Sequence, residues 1–310
     1  MKILQLVLFL LLLVRLGPGA WAQTAAVAYT EGGALYLATA SGHVIRVVKA
    51  KVPIGQIAVS PDARVAVFVP VEKADAYGGS LYILDIASGR VSLLAKPKRG
   101  WVYADPDYAP NLPEVAIAVH GSRGDLVEAS GPLATVNLKT HKTRVLRATL
   151  NVDANGPAFA NSPRWSPNAG QILMNFEDGA AVTGSAGRHL HDLSDLFSTH
   201  AWSNAIGWLG NGCVVFISGR GPLSAEAGPA RVLVLRSRKV LGLAGLLGVP
   251  RQSVTHLAMV SPSILIRRSG AHYEVVARDH KWTIPYEPGR SFVTLVGPQG
   301  GPPAACGGND

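Results

Sequence analysis

Gln56-Ile-Ala-Val-Ser-Pro-Asp-Ala-Arg-Val-Ala-Val-Phe-Val-Pro70 holds two apolar runs, Ile57 to Val59 and Val65 to Val69, around a tight turn at Ser60-Pro61-Asp62. Proline presets φ at the first turn position, and the aspartate side chain can bond its own backbone. Two β-branched runs flanking such a turn predict a hairpin with both strands buried. A second hairpin follows at Leu81–Ile86 and Val91–Leu94, turning at Ser88-Gly89. Four strands in about forty residues make one small antiparallel sheet, and recurrence of that sheet along the chain predicts a β-propeller.

The unit recurs. Residues 25–48 supply three strands, Ala26–Tyr29, Ala34–Ala38 and Val44–Val48. A unit over about 99–148 has Asp105-Pro106-Asp107 in the turn position and a polar loop at His120–Gly131. The next starts near Arg164-Trp165-Ser166-Pro167-Asn168 and ends in a helical-looking His189–Leu196. Two more turn at Leu209-Gly-Asn-Gly212 and Ser261-Pro262, and one strand, Ser291–Val296, is left over. The turn markers Pro61, Pro106, Pro167, Gly210 and Pro262 are 45, 61, 43 and 52 residues apart, the spacing of propeller blades with loop insertions. Pairing the last strand with the first three completes a blade and removes a free sheet edge. The expected fold is all-β, a six-bladed propeller of four-stranded antiparallel blades. Seven blades remain open if the longest gap hides a degenerate one.

Ser60-Pro-Asp-Ala63, the strand Leu81-Tyr-Ile-Leu-Asp-Ile86 and Arg164-Trp-Ser-Pro-Asn168 together resemble the repeat of TolB-type propellers, relatives of the WD-repeat fold. The usual turn of that repeat is Ser-Pro-Asp-Gly, and Ala63 and Ala169 stand here in place of the glycine. The resemblance implies an exported six-bladed propeller that serves as a protein-binding platform in the cell envelope. It covers the propeller part alone, with no room for the additional N-terminal α/β domain of TolB.

The termini read differently. Lys2 precedes an apolar run from Ile3 to Val14, Gly17-Pro-Gly19 breaks it, and Ala20-Trp-Ala22 fits small-x-small cleavage. Residues 1–22 are therefore expected to be a signal peptide cleaved after Ala22, the alternative being a retained anchor. Residues 23–297 form the propeller, and 298–310 are expected to be a disordered Gly/Pro-rich tail. The formal charge is +9; in an exported protein this points to an acidic protein or an anionic envelope component, and away from nucleic acid. The two cysteines, Cys213 and Cys306, leave two readings, a disulfide in an oxidising compartment or a buried apolar thiol in the strand at Cys213.

Chemistry is sparse. Gly184-Ser-Ala-Gly187 lacks the spacing of a nucleophile elbow. His189, His191, Asp192 and Asp195 are metal-ligand types, but on a short helix residues two apart face different ways, so a solvated loop is expected. Asp105 and Asp107 resemble a calcium half-site, yet they occupy the expected turn and read as an Asx turn. No cofactor or metal is expected, and no catalytic residue.

What remains is ring geometry. Loops that enter each innermost strand end beside the channel mouth, and those windows carry Lys51, Arg99, Arg164, His200, His256 and Arg290, with Trp101, Trp165 and Trp202 adjacent. The expectation is a non-enzymatic monomer, periplasmic or secreted, whose mouth binds a partner through Arg99, Trp101, Arg164, Trp165, His200, Trp202, His256 and Arg290. The alternative is a propeller hydrolase or lyase with His200 or His256 as base.

Overall fold

A computed structural model describes residues 25–70, 78–123, 126–146, 161–176, 179–193, 196, 202–219, 229–261, 264–277, 280–286, 291–295 and 303–306. Six four-stranded antiparallel sheets form the blades of a propeller. Blade 1 contains β1 (Val27–Glu31), β2 (Ala34–Ala38), β3 (Val44–Lys49) and, as its innermost strand, the C-terminal β24 (Phe292–Thr294). Blade 2 contains β4 (Ile54–Val59), β5 (Val65–Pro70), β6 (Leu81–Asp85) and β7 (Val91–Ala95). Blade 3 contains β8 (Trp101–Tyr108), β9 (Glu114–Arg123), β10 (Leu126–Asn137) and β11 (Thr143–Val145). Blade 4 contains β12 (Asn161–Trp165), β13 (Gln171–Phe176), β14 (Gly179–Gly184) and the two-residue β15 (His191–Asp192). Blade 5 contains β16 (Trp202–Trp208), β17 (Cys213–Gly219), β18 (Arg231–Val234) and β19 (Lys239–Gly242), followed by helix α1 (Leu243–Leu247). Blade 6 contains β20 (Leu257–Val260), β21 (Ile264–Ser269), β22 (His272–Ala277) and β23 (His280–Pro285).

The double-sided apolar strands have a direct cause. Successive side chains of a strand face opposite ways, and each blade is packed on both faces. In β5, Ala66 and Phe68 join the core shared with blade 1, while Val67 and Val69 join the core shared with blade 3. Six such clusters lie one at each blade interface around the ring.

The ring closes as the leftover strand predicts. Val27, Ala28 and Tyr29 of β1 pair with Thr294, Val293 and Phe292 of β24. The backbone N–H of Leu295 donates to Ala26 (2.8 Å), and that of Thr30 donates to Ser291 (3.1 Å). At the joint with blade 6, Gly42 adopts φ +86° under the Trp282 ring, where a Cβ would come within 2.6 Å. The Trp282 indole N–H donates to the Ala40 carbonyl at 3.2 Å.

Four sequence expectations change. Within the helical-looking His189–Leu196, His191 and Asp192 form β15, paired with Val182 and Ala181 of β14, because the outer strand of blade 4 is needed there. Asp105-Pro106-Asp107 is not the turn of blade 3: β8 runs through it to Tyr108, and the turn lies at Ala109–Pro113, where the Ala109 N–H meets the Glu114 carbonyl at 2.9 Å. Within His120–Gly131, expected as a polar loop, residues 120–123 and 126–131 are the facing ends of β9 and β10, paired with two register shifts. Within the expected disordered tail, residues 304–306 form a 3-10 turn, because Cys306 is disulfide-bonded to Cys213 and fully buried in the core between blades 5 and 6. The expected signal peptide lies outside the described residues, and among the described residues no helix is long and apolar enough to cross a membrane.

Candidate functional site

Every innermost strand from β4 to β20 carries a register shift against its neighbour: Ile54/Gln56, Ala104/Asp107, Asn161/Arg164, Ala205/Gly207 and Leu257/Met259. Such bulges bend and twist a strand, and here they turn the last residues of each toward the ring axis. Residues from all six innermost strands then line a cavity of about 400 Å³ at the face of the ring where the first hairpin turn of each blade lies. The residue just before the turn is aromatic in three successive blades, Tyr108, Trp165 and Trp208, and aliphatic in others, Val59 and Val260.

The turns frame this cavity rigidly. In Ser60-Pro61-Asp62 the serine hydroxyl donates to the Asp62 carboxylate at 2.6 Å and accepts the Val65 N–H at 3.0 Å. Ser166 and Asn168 repeat the arrangement at 2.8 Å, with the Gln171 N–H donating to the Ser166 hydroxyl at 3.0 Å. Ala63 and Ala169, where the related repeat has glycine, adopt φ of +52° and +56°, a left-handed conformation costly for a residue with a Cβ. Neighbouring turns are tied together: the Asn111 side chain donates to the Asn168 carbonyl (3.3 Å), and the Asn168 N–H donates to the Asn211 side chain (3.0 Å).

Among the described residues that line the cavity there is one carboxylate, Asp107, and one cation, Arg164. Asp107 Oδ2 accepts the Trp165 N–H at 2.6 Å, and Oδ1 lies 3.9 Å from Arg164 Nη1. Its side chain keeps 24% of its exposure, and it lines the concave cavity. Desolvation there pushes its pKa up from 3.8 to about 6, against the opposing pull of Arg164 and the Trp165 N–H. Burial likewise raises the Tyr108 phenol, with the Asp62 charge adding to it. Arg164 Nη1 donates to the Pro163 carbonyl at 2.9 Å. The Trp208 indole N–H donates to the Arg164 carbonyl at 2.9 Å, whereas the buried Trp165 indole N–H has no acceptor among the described residues.

Away from the cavity, Asp105 is not an Asx turn but a clamp across three blades. Gln56 Nε2 donates to its Oδ1 (3.1 Å), its own N–H donates to Gln56 Oε1 (2.8 Å), and the Ser162 N–H donates to Oδ2 (3.2 Å). The buried His120 is nearby: burial lowers its pKa and the Asp105 charge opposes that shift. Asn175 makes a comparable pair with the Ala205 backbone, both bonds at 2.8 Å. Among the described residues no three His, Cys, Asp or Glu side chains are grouped to hold a metal ion.

Of the eight residues expected to converge on one mouth, the six that are described divide between two ends of the ring. Trp101 opens β8 opposite Gly121, and the backbone of Trp202 opens β16 opposite Gly219; Arg99 and His256 precede β8 and β20. These four belong to the face where each innermost strand begins, and Arg99, Trp101 and His256 are exposed there. Arg164 and Trp165 end β12 opposite Leu173 and Ile172 and belong to the cavity on the other face. The cause is register: β12 begins at Asn161 and bulges, so Arg164 is equivalent to Asp107 of blade 3 and not to Arg99. His200 and Arg290 lie outside the described residues. Sequence reasoning missed Asp107, Tyr108 and Trp208. The signal was present in Trp165-Ser-Pro167 and Trp208-Leu-Gly210, an aromatic two residues before the turn marker, and in Tyr108-Ala-Pro110, which the misplaced marker Pro106 hid.

No known protein family matches the sequence, and no characterised protein does. Solved structures do resemble it. A TolB-like protein from Agrobacterium tumefaciens is 13% identical, with a TM-score of 0.54 over 72% of this chain and 77% of that one. An oligogalacturonate lyase in complex with manganese is 13% identical, with a TM-score of 0.53 over 82% and 71%. A chain of the nidogen/laminin complex is 9% identical, with a TM-score of 0.56 over 87% and 99%. Likeness at such identity is one of architecture, and on it and the closed six-sheet ring the chain is a six-bladed β-propeller sharing its fold with TolB-like proteins.

Proposed function

We propose that this is an exported, non-enzymatic propeller that binds a partner protein, and that the partner inserts a segment into the axial cavity on the turn face. The observation that carries this reading is the cavity itself. It is concave and walled by Tyr108, Trp165, Trp208 and Met259, and its rim turns are cross-linked by asparagine hydrogen bonds. Preformed apolar clefts with a few placed polar groups are the usual form of recognition sites, and rigid aromatic anchors dominate binding energy. Export is supported by the apolar leader at residues 3–14 and by the Cys213–Cys306 disulfide, a bond that persists in oxidising compartments. Both support a periplasmic or secreted location.

The alternative enzyme, with a channel-mouth histidine as base, draws nothing from His256. That side chain is exposed, is not among the cavity residues, and its carbonyl accepts the Arg268 N–H. The test places a photo-crosslinking residue at Met259 in the cavity and, as a control, at Val145 on the outer strand β11. We expect a crosslinked partner from envelope extract at Met259 alone. Equal products at both positions, or none at Met259, would overturn the reading, as would turnover of a polysaccharide by the purified chain.

A further inference from the structure

We infer that the group recognised in the axial cavity is a monocarboxylate attached to an apolar body, with the Arg164 guanidinium as its anchor. The inference rests on the cavity being a recognition site and names what that site recognises.

Arg164 is a half-used fork. Its Nη1 donates to the Pro163 carbonyl at 2.9 Å and stands 3.9 Å from Asp107 Oδ1, beyond hydrogen-bond reach. Among the described residues neither Nε nor Nη2 has an acceptor. The side chain is 30% exposed and lines the cavity. A guanidinium presents its donors in a planar fork that matches a carboxylate in a two-point contact. Among the described residues the nearest carboxylate does not close that contact, since Asp107 Oδ2 accepts the Trp165 N–H at 2.6 Å and Oδ1 stands 3.9 Å from Nη1.

The surroundings narrow the ligand further. A cation in the cavity would meet Arg164. A phosphate or other dianion would meet the Asp107 carboxylate with a single arginine to offset it. The walls are apolar and aromatic, Tyr108, Trp165, Trp208 and Met259 among them, so the body that follows the carboxylate must be apolar. About 400 Å³ accommodates a group of one or two residues. Two sources share this chemistry, the C-terminal end of a polypeptide and a free aromatic or branched organic acid.

The experiment is calorimetric titration of the full oxidised chain with three probes: N-acetyl-Leu-Phe with a free carboxylate, its C-terminal amide, and 3-phenylpropionate. We expect the acid dipeptide to bind about tenfold or more tightly than its amide, the size of one charge-assisted contact. Arg164→Gln should abolish that discrimination, and Arg164→Lys, which keeps the charge without the fork, should retain part of it. Asp107→Asn should tighten acid binding several-fold by removing the neighbouring negative charge. Phenylpropionate matching the dipeptide points to a free acid as the source, and a clear preference for the dipeptide points to a chain end. Equal binding of acid and amide overturns the inference. So does absence of binding by either acid at about 1 mM, or unchanged acid binding by an Arg164→Gln protein that melts like the wild type. None of these results bears on the Met259 crosslink, which separately tests whether the cavity receives a partner.

Discussion

Asp107→Asn should stabilise the protein, and only above the acid range. Burial in the cavity wall raises the Asp107 pKa from 3.8 to about 6. At 1.36 kcal/mol per pKa unit, holding the ionised form in the folded state costs about 3 kcal/mol. The sign follows from proton linkage. Below about pH 4 the carboxyl is protonated in both states and costs nothing. Between about pH 4 and 6 the unfolded chain ionises while the folded one holds its proton, so stability falls as pH rises. Above the folded value the full cost is present. Asparagine mimics the protonated carboxyl and its oxygen still accepts the Trp165 N–H, so the variant avoids the cost at every pH. Urea unfolding of both proteins at about pH 3.5, 5 and 7.5 should give a stability difference near zero, then intermediate, then about 2–3 kcal/mol in favour of the variant. Other carboxylates titrate alike in both proteins and cancel in the difference. A difference that stays flat across this range would refute the desolvated carboxyl.

Removing the Cys213–Cys306 bond in a Cys213→Ala/Cys306→Ala variant should cost about 4–5 kcal/mol on the chain-entropy estimate for a 93-residue separation, because the closed loop contains blade 6 and the ring-closing β24. A melting temperature lower by on the order of 10 °C is expected, and an unchanged one under oxidising conditions would contradict it. Ala63→Val should destabilise by about 3 kcal/mol, since Ala63 is fully buried at φ +52° and a β-branched residue is a steric outlier there; chemical denaturation measures it, and Ala63→Gly serves as the tolerated control. Asp105→Ala should cost about 2–4 kcal/mol by leaving Gln56 and Ser162 without their acceptor, read as a lower denaturation midpoint, with Asp105→Asn losing less.

The propeller was legible in the chain because its cause is local. An apolar run, a tight turn such as Ser60-Pro-Asp62 or Ser166-Pro-Asn168 and a second run specify a buried hairpin, and five such units plus one unpaired strand leave a closed ring as the solution that satisfies every edge. Side-chain alternation in β5 already implied packing on both faces. The disulfide stayed open, since two cysteines 93 residues apart in sequence become neighbours only after blades 5 and 6 have docked. The site was less legible, for a reason of register. Asp105-Pro106-Asp107 has the composition of a turn, yet a bulge carries the strand through it and moves the turn to Ala109–Pro113. Arg164 sat by the same reasoning with Arg99, but one bulge in β12 places it at the other end of the ring beside Asp107. Sequence determined most of the strands and hairpin turns, because those preferences act over a few neighbouring residues. Tertiary structure alone decided which strand ends meet on the axis, because a shift of one residue in pairing sends a side chain to the other face, and six blades must close together before any cavity exists.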